Sequence, residues 1–218
     1  MVVLVELRVV RASAKIKLRK GSQFFCCEPV FFLTAGEERE KILEEVLSLM
    51  KISESLLPEF DQEAGMTKSV LERCPEAKFD FKPHAKSWEL IKLATHLANL
   101  PSWTLITMKQ DVFDVAPPGA PPYKEEQPKT TAELVAKFEK NFADARQALS
   151  EASDADFMTT WTMLKGGEKI FSMPKMVCIR SFVMNHSIFH RGQLAVYLRL
   201  IDVPVPALYG PSADEGSF

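Results

Sequence analysis

From residue 50 onwards, apolar side chains recur at a helical period, whereas residues 1–49 share no amphipathic pattern that would dock them on one core. The stretch Ile52 to Cys74 aligns Leu57, Phe60, Ala64, Thr67, Leu71 and Cys74 on one face, which predicts a first helix. Pro58 fits best in or near its first turn, where a missing N–H costs little. A loop holding Pro75 and Pro83 follows, and Ser87 is a candidate cap for a second helix from Trp88 to about Lys109. That helix is apolar almost all round (Ile91, Leu93, Ala94, Leu97, Leu100, Trp103, Leu105), so it belongs at the centre, kinked at Pro101.

Ala116 to Lys129 is a Pro-rich crossover too long for a tight turn. Thr130 with Glu133 forms a capping box that opens a third helix, whose stripe is Leu134, Phe138, Phe142, Ala145 and Leu149. Loose alternation from Thr159 to Met173 around Gly166-Gly167 predicts a short β-hairpin. Pro174 starts a fourth helix, and Pro204 and Pro206 stop it near Ile201. The fold class this predicts is all-α: a four-helix bundle with a long crossover and a short β-hairpin before the last helix.

Residues 1–49 carry a basic stretch from Arg8 to Lys20, an aromatic patch (Phe24, Phe25, Phe31, Phe32) and a charged piece from Glu37 to Leu49. Two expectations fit: a mis-assigned upstream start with Met50 the first genuine residue, or a poorly ordered or strand-forming extension. Residues 50–218 form the domain.

Composition narrows the function classes. The 218 residues are 46% hydrophobic and 26% charged, ordinary for a soluble globular chain. Lys and Arg number 27 against 29 Asp and Glu, so the basic surface of a nucleic-acid binder is not expected. No apolar run approaches the roughly 20 residues of a membrane-spanning helix, and the N-terminal order of apolar residues before charge does not read as a signal peptide. Cys26, Cys27, Cys74 and Cys178 lack the spacing of a disulfide framework, and a reducing, cytoplasmic setting fits them best.

The predicted stripe of the last helix is Ile179, Val183, His186, His190, Leu194, Tyr197 and Ile201, with Arg180, Ser187, Arg191 and Arg199 on another side. His186 and His190 are one turn apart and interrupt an apolar face, so both imidazoles need partners. His96 shares a face of the second helix with Leu93, Leu100 and Trp103. If the two helices are neighbours, three imidazoles can meet around one ion with a coordination position left open, a donor set that suits zinc or nickel. The competing reading is a set of core histidines satisfied by carbonyls and hydroxyls. The H-x-x-x-H spacing is common, and no Glu follows the first His as it does in the metalloprotease motif. His84, in a loop beside Lys82 and Lys86, is expected to be solvated. Asn99, Asn185, Gln193 and Tyr197 are in helical phase to support the imidazoles, without an assignment among them, and no general base stands out.

Leu57-Pro-Glu-Phe-Asp, Phe81-Lys-Pro-His-Ala-Lys-Ser, His96-Leu-Ala-Asn-Leu-Pro-Ser-Trp, His186-Ser-Ile-Phe-His-Arg-Gly-Gln-Leu-Ala-Val-Tyr-Leu-Arg and Val205-Pro-Ala-Leu-Tyr-Gly-Pro-Ser-Ala-Asp-Glu resemble the DinB-like (damage-inducible, YfiT-like) metalloenzymes. The resemblance covers residues 50–218 and none of 1–49. It implies a four-helix bundle, frequent homodimers and a divalent metal held at the positions of His96, His186 and His190. It also implies relatives that are transferases and isomerases using a low-molecular-weight thiol, and the expectation drawn is a thiol-dependent transferase or a hydrolase acting on a small electrophile, with a stress-related role. The alternatives are a non-catalytic metal-binding bundle and a metal-free dimeric bundle. Metal loading is expected to weaken below about pH 6, as ordinary imidazoles take up protons.

Overall fold

A computed structural model describes residues 51–121 and 125–217, together with two short strands near the N-terminus. Those strands, β1 (Val5–Glu6) and β2 (Lys17–Leu18), pair antiparallel within a compact unit spanning Met1–Val46. The remaining expectations for residues 1–49, and the Cys26-Cys27 pair, lie outside the described residues.

The second unit, Leu47–Phe218, is mostly helical with a small sheet. Four long helices dominate it: α1 (Ile52–Leu71), α2 (Leu90–Lys109), α3 (Thr131–Glu151) and α6 (Asn185–Leu200). α2 packs most extensively on α3 and also on α6, while α1 touches both α3 and α6. The shared core holds Leu71, Leu90, Leu97, Leu134, Leu194 and Leu198, all fully buried. The apolar stripes predicted for α1 and α3 face this interior, with Phe60, Ala64 and Thr67 buried on one and Leu134, Phe138, Ala145 and Leu149 on the other.

Local details depart from the expectations in instructive ways. Pro58 lies beyond the first turn of α1, at an exposed position. Ser87 does not cap α2. Its own N–H is used in a turn with the His84 carbonyl (2.9 Å), and the first N–H groups of α2 are satisfied by loop carbonyls instead: Leu90 donates to Phe81 (2.9 Å) and Ile91 to Phe79 (3.0 Å). α2 runs through the buried Pro101 as a helix to Lys109. At the start of α3, Thr130 accepts the Glu133 N–H (3.1 Å), but the Glu133 carboxylate takes the N–H of Lys129 (2.7 Å) rather than that of Thr130. A complete capping box instead opens the short α4 (Asp154–Met158), between Ser153 and Asp156.

The hairpin of β4 (Thr160–Lys165) and β5 (Glu168–Pro174) is present, but it is part of a three-stranded sheet. β3 (Val112–Asp114) pairs parallel to β4. Three residues are too few to show an alternation, and the pairing spans about fifty residues of chain, so no local pattern announces it. Gly166 (φ 63°) and Gly167 (φ 83°) supply the two positive φ values that a tight hairpin turn needs. The Asp114 carboxylate accepts both of their N–H groups, at 3.0 and 2.7 Å, and ties β3 to the turn.

The last helical rod is not uniform. A short α5 (Lys175–Val177) passes into π-helical winding at Cys178–Met184 before α6. A π turn takes in an extra residue, so the buried face slips by one position relative to an ideal α-helix. Ile179 and Val183 are buried as expected, but beyond the π segment the buried side chains are Arg191, Leu194 and Leu198, with Tyr197 and Ile201 only half-buried. His186 and His190 therefore sit on the flank of the buried face, and Arg191, expected outside, is 1% exposed.

Arg191 is satisfied from α1 and from the C-terminal tail. It donates to the Glu63 carbonyl (2.9 Å), Thr67 Oγ1 (3.2 Å), the Glu63 carboxylate (2.6 Å) and the Tyr209 hydroxyl. Tyr209 in turn donates to the Glu63 carboxylate at 2.8–2.9 Å. Arg73 at the end of α1 holds Glu215 (2.5 Å) and the Pro204 carbonyl (3.1 Å), and Arg199 pairs with Asp214 (2.5 Å), so the tail lies back along α1 and α6.

Candidate metal centre

α2 and α6 pack side by side, and this brings His96 to the pair on α6. The Nε2 atoms converge: His190 to His186 at 2.8 Å and His96 to His186 at 3.4 Å. One nitrogen from each ring lies within 4.8 Å of the others, an arrangement that could hold a metal ion. All three rings are partly buried. His84 is exposed and stands apart, its Nδ1 accepting the Lys86 N–H at 3.1 Å, as expected of a solvated loop residue.

Two nitrogens 2.8 Å apart cannot both carry protons directed at each other, so converging lone pairs require the far nitrogen of each ring to hold the proton. For His190 an acceptor stands in place to meet that condition. His190 Nδ1 lies 2.7 Å from Gln193 Oε1. Two of the three groups, His96 and His186, are also kept neutral. Burial, then the neighbouring His190 and His186, lower the His96 pKa to about 4, and burial followed by His190 lowers that of His186. Neutral imidazoles with aligned Nε2 lone pairs are the form that ligates a transition metal.

Of the four polar residues in helical phase with the imidazoles, only Gln193 supports one. Asn99 is bound to Glu125 and Asn141, Asn185 accepts from Arg180 (2.6 Å), and Tyr197 donates to the Trp88 carbonyl (3.2 Å). Trp88 was not anticipated at the site. Its indole lies nearly parallel to His190 (20°, centroids 6.1 Å apart) and edge-on to His96 (76°, 5.4 Å). Phe182 closes the other side against His186, with centroids 5.8 Å apart. Nothing in the spacing around Trp88 sets it apart from a core aromatic, because its role depends on how the loop before α2 folds back. A pocket of about 400 Å³ opens beside the triad, lined by Ser87, Trp88, Leu93, His190, Gln193, Val196 and Tyr197, with no charged side chain. No acidic residue or cysteine joins the cluster among the described residues.

Cys74 and Cys178 are free and buried, and burial pushes the Cys74 thiol up to about 12. No helix among the described residues is long and apolar enough to cross a membrane.

The chain is similar to the uncharacterized protein YrdA of Bacillus subtilis (strain 168), 26% identical over 162 residues that span 73% of this chain and 89% of that protein. In fold it resembles a DinB-like protein from Bacillus cereus ATCC 10987 (TM-score 0.57, 21% identity, 73% of this chain and 98% of the other). It also resembles the DinB-like protein YjoA from Bacillus subtilis (TM-score 0.53, 16% identity, 70% and 96%). The DinB family model matches residues 48–217, which contain the helices, the sheet, the tail and the three histidines; this chain belongs to the DinB family.

Proposed function

We propose that the protein is a divalent-metal-dependent enzyme, a thiol-dependent transferase or a hydrolase acting on a small electrophile, with His96, His186 and His190 as the metal ligands. The observation that carries this reading is the convergence of three Nε2 atoms beside a pocket lined by one of the same rings. The residues fit a zinc or nickel ion: nitrogen donors, His96 and His186 held neutral by burial, and the far nitrogen of His190 already engaged. When bound, such an ion lowers the pKa of a coordinated thiol or water and makes it a nucleophile at neutral pH.

The protein's own side chains supply position and exclusion. Trp88, Leu93 and Val196 form the apolar walls that hold an electrophile and displace water, while Ser87, Gln193 and Tyr197 offer it hydrogen bonds. Burial raises the pKa of both described cysteines, and neither reaches the triad, so the thiol in this reading comes from a separate small molecule. The non-catalytic alternative is less favoured because a structural site is closed by a fourth protein ligand, and no carboxylate or thiol completes this one among the described residues.

The same reading takes the four long helices as a bundle, the protein as a cytoplasmic homodimer, and residues 50–218 as the catalytic domain. Metal analysis of protein purified without a histidine tag is the first test. About one zinc or nickel per chain is expected, and a metal-free protein rejects the proposal. A screen of thiol conjugation to small electrophiles with the zinc and nickel forms then separates transferase from hydrolase.

A further inference from the structure

We propose that Gln193 is the positioning residue of the centre: its side-chain amide oxygen accepts a hydrogen bond from His190 Nδ1–H, holds the proton on that nitrogen and so commits His190 Nε2 to the ion. This inference rests on the three-histidine reading and adds to it the group that sets one ligand's tautomer.

A neutral imidazole carries one proton, and the nitrogen that holds it is decided by which one has an acceptor. His190 has two aromatic neighbours, Trp88 at 6.1 Å and Phe189 at 5.2 Å between centroids. These rings limit the plane of the imidazole, but an apolar face offers no acceptor and cannot choose a tautomer. The Gln193 Oε1 atom, 2.7 Å from Nδ1, can. If the amide were absent, Nδ1 would lose its partner within the chain, and the proton could move to Nε2, which faces His186 Nε2 at 2.8 Å. The ring would then have no lone pair to offer the ion.

The geometry is local and inexpensive. Residues 190 and 193 are three apart on α6, on neighbouring turns of one face, so the pair forms whenever that helix forms. Gln193 is the one side chain among the described residues through which the tautomer of an α6 ligand is set. It is exposed and lies outside the packed core, so replacing it does not open a cavity.

The test uses the full chain and two metals as probes. Zinc affinity is read by competition with a chromophoric chelator, and cobalt(II) is read by its visible absorption, for wild type, Gln193→Leu, Gln193→Glu and His190→Ala. Gln193→Leu is expected to weaken zinc by about 10–100-fold, the usual cost of losing such a partner, and to shift the cobalt spectrum toward that of His190→Ala. Gln193→Glu keeps an acceptor in place and is expected to bind at least as tightly as wild type. The assignment is overturned if Gln193→Leu binds zinc within twofold of wild type, or if Gln193→Glu is as weak as Gln193→Leu, which would mean that only bulk matters. Failure of the wild-type chain to bind either metal stoichiometrically would overturn the three-histidine reading itself, and this assignment with it.

Discussion

Replacing Arg191 by Met tests the energetics of the buried network directly. The substitution keeps an unbranched apolar stem and removes the guanidinium, which is 1% exposed and pairs with Glu63 at 2.6 Å. It also deletes the bonds to the Glu63 carbonyl (2.9 Å) and to Thr67 (3.2 Å), leaving a carboxylate whose side chain is 12% exposed with only the Tyr209 hydroxyl to hold it. Breaking a buried pair from one side costs about 3–5 kcal/mol, and the remaining Tyr209 bond places the expected loss near the lower end, at about 3 kcal/mol. For a domain of this size that corresponds to a fall of about 6–12 °C in Tm. Urea unfolding of wild type, Arg191→Met, Glu63→Gln and the double variant measures the loss and the coupling, which is expected to be about 2 kcal/mol. A single-variant loss below about 1 kcal/mol, or strictly additive effects, would refute the argument that this ion pair is structurally committed.

Other expectations concern the histidines and the sheet. Alanine at His96, His186 or His190 is expected to abolish stoichiometric metal in elemental analysis, while His84→Ala leaves it unchanged. In the metal-free protein, the lowered pKa of His96 makes the unfolded chain bind more protons between pH 6.5 and 4, so stability falls as pH falls through that window. The full shift corresponds to about 3 kcal/mol, reduced to about 1–2 by the partial exposure of the ring, and His96→Gln should flatten that part of the profile measured by thermal melts. Because His96 and His186 resist protonation, zinc loading should persist below the pH 6 limit of ordinary imidazoles, which metal analysis after equilibration at pH 5.5 would check. Gly167→Ala forces a side chain into a position with φ of 83°; a loss of about 1 kcal/mol in urea unfolding is expected, and an unchanged midpoint would show that the turn relaxes.

Much of this was legible from the sequence because it is local. Helix faces follow from the 3.6-residue period, the hairpin turn from Gly166-Gly167, and the shared direction of His186 and His190 from their spacing. The third histidine was readable only as a candidate: α2 is apolar almost all round and belongs centrally, but its position beside α6 was a condition of the reading, and the family resemblance supplied the full triad. What was not legible depends on phase and on distant partners. The π winding at Cys178–Met184 leaves no mark in a hydrophobic count, yet it turns Arg191 inward and moves the histidines to the flank of the buried face. Glu63 and Tyr209, which make that burial tolerable, lie 128 and 18 residues away from Arg191. The first turn of α2 took its hydrogen-bond acceptors from the Phe79 and Phe81 carbonyls rather than from Ser87, a choice made by loop packing.

The tail gives the end of the chain an influence out of proportion to its length. Tyr209 acts as a stopper over the Arg191–Glu63 pair, fastened further along by Asp214 and Glu215. A protease that nicked the chain just after Tyr209 would leave Val203, Val205 and Leu208 packed on the core, yet it would loosen the stopper from its fastenings and admit water to the polar centre between the first and last helices.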